Sequence, residues 1–194
     1  MPLIPLIIGN LIVSSEISNI FEYYVLIPEY FYTTLLDMFD RSVYTFLLIV
    51  LIGPLVEEIL FRGVILEGFL SRYNTEKAIL FSAAIFSIFH LNPVQFISAF
   101  VCGIILGYLY VNTRSLIPCF IAHAFHNGII FCLYFLPVNV PGLDGNPVGP
   151  QFQPMWLDII GTVLMVIGIW GLMNMKLLQE KPTINTIQGQ IELS

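Results

Sequence analysis

The sequence predicts an all-α fold: a polytopic transmembrane bundle of about five to six helices around a membrane-embedded polar cavity. Three observations carry that prediction. The chain of 194 residues is 57% hydrophobic, with a mean hydropathy of +0.87. Only 10% of it is charged, against about a quarter in soluble domains. From Ala78 to Leu143 the single formal charge is Arg114. A water-soluble surface cannot be built from such a stretch, whereas helices that satisfy their own backbone can cross a bilayer with it. The net charge of −6 comes mostly from segments outside the spans, including Glu16, Glu22, Glu29, Asp37 and Asp40. There is no basic patch of the kind nucleic acid requires, so no nucleic-acid partner is expected.

Taken in order, the segment from Leu3 to about Val13 is apolar but short. It fits a re-entrant or interfacial piece, or one end of a longer span. Met1-Pro2-Leu3-Ile4 offers no basic leader region and no small-residue cleavage site, so the segment reads as retained rather than as a signal peptide. Ser14 to Ser42 mixes aromatics with acids and predicts interfacial helix and loop. From Val43 a helical pattern runs to about Leu70, interrupted by Gly53-Pro54. A helix of that length is about 42 Å long, more than the roughly 30 Å hydrocarbon core, which calls for a kink at Pro54 or extension into the interface. Ser71 to Lys77 is a polar loop. Spans follow at Ala78–Leu91, Val94–Val111, Leu116–Leu136 and Trp156–Leu178, the first two short and separated by Asn92-Pro93. Pro137 to Pro154 is a Pro/Gly-rich loop with one charge, Asp144, and the tail 180–194 is polar. No internal repeat or second domain is evident, so residues 1–194 are expected to form one integral-membrane domain with its core at 43–136. Cys102, Cys119 and Cys132 lie in apolar runs without CxxC spacing and read as small buried hydrophobes.

The few basic residues give a consistent topology. Arg72 with Lys77, Arg114, and Lys176 with Lys181 fall on alternate connections, which can all be cytoplasmic together with the C-terminus. The loops at Asn92-Pro93 and 137–154 contain no Lys or Arg and would lie outside; Arg41 is the exception to this scheme.

Within this apolar chain the titratable groups are concentrated. Glu57, Glu58 and Arg62 sit in the span from Val43 to Leu70, and the three histidines, His90, His123 and His126, all lie in apolar runs. An ionised group in hydrocarbon costs roughly 2.5–3.5 kcal/mol on insertion scales, so such groups pair, face a wet cavity or do chemistry. Glu58 and Arg62 are four apart and can form an ion pair on one helix face. Glu57 points about 100° away from that pair, and a desolvated, unpaired carboxylate suits a general base. The competing reading is a structural ion pair between helices with Glu57 reaching the surface, but Glu57 lies about 21 Å of helix from Val43, deep for so short a side chain. His90 taken alone is equally an interhelical hydrogen-bonding group. His123 and Asn127 share a face, and an imidazole with an amide can donate two hydrogen bonds to an oxyanion, or can instead pair with other helices. Glu57, His90 and His123 could also ligate a zinc ion, although the close HExxH spacing is absent.

These residues resemble the CAAX prenyl protease type II and bacteriocin-processing family, also called CPBP or Abi, whose members are polytopic intramembrane proteases. Glu57-Glu58 with Arg62 matches its EExxxR motif, Phe86 with His90 matches FxxxH, and His123 with Asn127 matches HxxxN, in the family's order. The resemblance covers about Pro54 to Phe131. It implies that Glu57 and His90 activate a hydrolytic water, that His123 and Asn127 stabilise the oxyanion, and that Arg62 holds Glu58. One zinc ion or none, membrane lipids and a peptide or protein substrate are the implied cofactor and partners, with a location in the cell membrane of a prokaryote. His126 lies outside the pattern. The alternatives are a non-catalytic scaffold or immunity protein on the same helices, and an ion or proton pathway, although no paired pseudo-symmetric halves are visible.

Overall fold

The computed structural model describes residues 2–37, 42–135, 140–143 and 151–179. Their backbone is all-helical: α1 (Leu3–Tyr24), α2 (Glu29–Asp37), α3 (Val43–Leu70), α4 (Thr75–Phe89), α5 (Pro93–Thr113), α6 (Leu116–Phe135) and α7 (Met155–Gln179). Five of them, all except α2 and α4, are long and apolar enough to cross a membrane. The polar tail 180–194, Asp40, Arg41, Asp144 and most of the 137–154 loop lie outside the described residues.

The N-terminal half of α1 is one end of a longer span, and Ser14 to Tyr24 continue the helix where interfacial helix and loop were expected. The reason is that the polar side chains of this stretch find partners on the bundle side. Ser15 Oγ donates to Gly142 O (2.6 Å), as does Asn19 Nδ2 (3.1 Å). Gln153 donates its backbone N–H to Glu16 Oε2 (3.0 Å) and its Nε2 to Ile12 O (2.9 Å). A polar residue that is paired inside the fold need not leave the helix to reach water.

Along its other face α1 meets α7 almost backbone to backbone. A Cβ placed on Gly168 would lie 2.5 Å from Leu6 Cα, and one on Gly9 would strike the Met165 backbone. Small residues permit this approach, and with no hydrophobic drive between helices in lipid, close packing and polar contacts hold them together.

α3 is continuous through Gly53-Pro54 rather than broken there. Its turns are widened over Leu47–Ile52 and Ile59–Leu66, where the backbone bonds run to the fifth residue, and the α-helical segment between them carries Glu57 and Glu58. Such widened turns recur at functional sites.

α4 starts at Thr75, so Thr75 to Lys77 are helical rather than loop. Asn74 caps the helix, its side chain accepting from Lys77 N–H at 3.1 Å. The chain turns at His90, with Leu91 in the left-handed region at φ 52°. Asn92 then caps α5 by accepting from Val94 N–H (2.9 Å), and Pro93 takes the first helical position. Small residues again set the spacing of α4 and α5: a Cβ on Gly103 would lie 3.0 Å from Ala83 Cα. At one end of the bundle Arg114 Nη1 pairs with Glu67 Oε1 (3.0 Å), and at the other Asn92 Nδ2 donates to Phe31 O (3.1 Å). The outer surface is apolar, with Leu48, Val56 and Val64 of α3 and Ile167 and Trp170 of α7 all exposed, as a protein solvated by lipid requires.

Gly168→Leu is expected to force α1 off α7 and to lower stability by about 2 kcal/mol or more, the scale of an overpacked core. Thermal unfolding of the detergent-solubilised protein should show a reduced Tm, while Gly68→Ala, at a position where an added Cβ meets nothing within 4 Å, should leave it nearly unchanged.

Candidate active site

The centre of the site is a carboxylate with no solvent exposure. Glu58 Oε1 accepts from Arg62 Nη1 at 2.8 Å across one helical turn, and both side chains are 1% exposed. Arg62 spends its second arm on Gly103 O (3.2 Å) and lies over the ring of Phe86, 4.7 Å from its centroid. The close approach of α5 to α4 at Gly103 brings that carbonyl near. A planar, delocalised guanidinium suits this combination of carboxylate, carbonyl and ring better than an ammonium would.

His123, on α6, adds a second bond to the same oxygen: its Nδ1 lies 2.7 Å from Glu58 Oε1. An ionised carboxylate only accepts, so Nδ1 carries the proton and, in the neutral ring, Nε2 is bare. That bare nitrogen faces Glu57 Oε2 at 3.7 Å. The distance is too long for a direct hydrogen bond, and both atoms are acceptors. A water that donates one hydrogen to each would satisfy the pair. The Glu57 side chain is 28% exposed, against 1% for Glu58, so the first can be reached and the second cannot.

His90 sits at the C-terminal end of α4, half-buried, with Nδ1 2.9 Å from Phe86 O. Since a carbonyl only accepts, this nitrogen also carries the proton and leaves Nε2 bare. The Phe86 ring lies 4.9 Å from the ring of His90 and 5.8 Å from that of His123, so one aromatic borders both imidazoles and the guanidinium. Phe61 closes the other side, edge-on to Phe86 at 4.9 Å.

Asn127 Nδ2 donates to Ile49 O at 3.0 Å, and α3 explains why that carbonyl is available. Gly53 N–H bonds to Leu48 O, five residues back. The next bond in that register would run from residue 54 to Ile49 O, and Pro54 has no N–H to give. The carboxamide of Asn127 takes the vacant place and keeps a second N–H. His126 is buried on α6 and its Nδ1 has no hydrogen-bond partner among the described residues.

The structure therefore brings Glu57, Glu58, Arg62 and His123 into one connected cluster. His90 joins it through Phe86, and Asn127 through the α3 backbone. Sequence reasoning missed Gly103, Ile49 and the bordering role of Phe86. Backbone carbonyls leave no trace in residue type, although Pro54 marks the vacancy at Ile49. Among the described residues no three or more His, Cys, Asp or Glu side chains converge as a metal site. His123 offers only its bare Nε2 as a ligand, because Nδ1 is taken by Glu58.

Arg62→Met should destabilise the protein by about 3–5 kcal/mol, because Glu58 is left as a buried charge without its cation. The double variant with Glu58→Gln should recover part of that loss in the same unfolding assay. Asn127→Ala should cost about 1 kcal/mol through the orphaned Ile49 carbonyl. Adding Pro54→Ala, which supplies a backbone N–H at that register, should reduce this penalty in a double-mutant cycle.

Residues 39–129, which contain every residue of the cluster, match the family described as type II CAAX prenyl endopeptidase Rce1-like. The chain is also 30% identical over 115 residues to the "Putative membrane peptidase YdiL" of Bacillus subtilis, a match that covers 59% of this chain and 44% of that protein. The chain thus spans less than half the length of that curated relative. No solved structure gives a significant match. With its EExxxR, FxxxH and HxxxN motifs gathered at one site on an all-helical bundle, the chain is similar over residues 39–129 to the type II CAAX prenyl endopeptidase Rce1-like family.

Proposed function

We propose that this protein is an intramembrane endopeptidase of a prokaryotic cell membrane that hydrolyses peptide bonds in membrane-borne substrates, prenylated or leader-bearing peptides among them. The observation that carries the reading is the pair of acceptors Glu57 Oε2 and His123 Nε2, 3.7 Å apart, which one water beside them can bridge, next to a locked Glu58.

In this reading a water sits beside the pair with its two hydrogens directed at the two acceptors, which leaves an oxygen lone pair facing the substrate. Glu57 takes one proton as the oxygen attacks the scissile carbonyl carbon. The spare N–H of Asn127 supports the developing oxyanion, a type of contact whose removal costs roughly 10²–10³ in rate. Collapse of the tetrahedral intermediate breaks the C–N bond, and the proton held by Glu57 passes to the leaving nitrogen, so the water is divided between the two products. Glu58 and Arg62 touch no reacting atom; they fix the tautomer and direction of His123. The resemblance implied that His90 shares the water with Glu57. The 3.7 Å spacing makes His123 the nearer partner of Glu57 and leaves His90, across Phe86, as a second imidazole for proton return.

Glu57→Gln keeps the shape and removes the base, so cleavage should fall by about 10²–10⁴-fold, the usual contribution of a general base, with an unchanged Tm. Comparative mass spectrometry of membrane peptides from cells carrying the wild-type chain or Glu57→Gln should show uncut precursors accumulating in the variant. Unaltered cleavage products in the presence of Glu57→Gln would rule the assignment out.

A further inference from the structure

Away from the catalytic cluster, a cavity of about 810 Å³ opens between α5 and α7, with the start of α4 at one end and Leu6 of α1 at its base. From the geometry we propose that this groove holds one acyl chain of a bilayer phospholipid and selects a headgroup that carries an ammonium, as in phosphatidylethanolamine.

Three features point to that occupant. The first is polarity along the groove. Its deep part is formed by Val101 and Ile105 of α5 with Met165 and Ile169 of α7, all apolar. Of its polar residues, Thr75, Glu76 and Asn112 gather at the opposite end, where α4 begins and α5 finishes, with Tyr108 one turn of α5 further in. A ligand that is apolar along its length and polar at one tip matches this order.

The second is length. From Val101 to Asn112 the groove follows α5 for eleven residues, about 16 Å of helix, close to the roughly 15 Å of hydrocarbon in one leaflet. The polar end coincides with the end of the bundle marked by the Arg114–Glu67 pair, so the apolar part runs inward from the membrane surface as an acyl chain does.

The third is charge. Glu76 is the single ionisable carboxylate of the lining, it is exposed, and it makes no ion pair among the described residues. Lys77, the next residue, projects about 100° away around the helix. A free carboxylate at the mouth attracts an ammonium and repels the phosphate of an anionic lipid. At an exposed site such a pair is worth up to about 1 kcal/mol, about fivefold in affinity. The groove shares no side chain with the catalytic cluster, so the proposal stands apart from the proteolytic reading.

The test is native mass spectrometry of the full chain, delipidated in detergent and titrated with dioleoyl phosphatidylethanolamine or dioleoyl phosphatidylglycerol. The wild type should carry one lipid, with the ethanolamine form favoured by about fivefold. Val101→Trp, which fills the deep part, should abolish that single high-occupancy adduct. Glu76→Gln, on the exposed first turn of α4, should keep the adduct and bring the preference between the two lipids close to one. Equal occupancy in wild type and Val101→Trp would overturn the site. A wild-type preference for phosphatidylglycerol, or a preference that survives Glu76→Gln, would overturn the headgroup assignment.

Discussion

Burying the Glu58 carboxylate sets the terms on which the helices of the site meet. A charge with no exposure requires donors from several directions, and each donor fixes an element. Arg62 answers from the same helix and in doing so reaches the α5 backbone at Gly103 and the α4 ring of Phe86. His123 answers from α6. The orientation of His123, and with it the direction of its bare nitrogen, follows from Glu58 rather than from anything near Glu57. Two adjacent acids thereby differ: one orders the site and the other stands partly exposed beside the bare nitrogen of His123.

α3 shows how a backbone irregularity serves the same end. Widened turns and a proline together leave the Ile49 carbonyl without a donor from its own helix, and Asn127 supplies one. A residue that the motif would place at an oxyanion is thus anchored by a vacancy one neighbouring helix creates. Because only one of its two amide hydrogens is spent, the anchor leaves the other free for the proposed oxyanion contact.

The remainder of the bundle divides into a dense part and an open part. α1 and α7 meet through glycines with little room between them, and the polar edge of α1 is tied to Gly142 and Gln153. Between α7 and α5 the contact is loose enough to leave a groove. Tight packing in one seam and looseness in the next follow from side-chain size: glycine lines the first, and Met165, Ile169 and Ile105 line the second.

Local sequence was enough to establish the helical, membrane-embedded class, because hydropathy and charge content depend on composition alone. It also gave the Glu58–Arg62 pair, which needs only a helical repeat, and the break before Pro93, which proline chemistry dictates. The extent of α1 was beyond its reach: Ser15, Glu16 and Asn19 look like the end of a span until Gly142 and Gln153 are seen to satisfy them. The helical start at Thr75 was masked in the same way by the polarity of Thr75 to Lys77. What tertiary structure alone decided was which imidazole stands beside Glu57 and which carbonyls complete the site. Those choices turn on distances between helices far apart in sequence, such as the 65 residues that separate Glu58 from His123, and no periodicity along one helix encodes them.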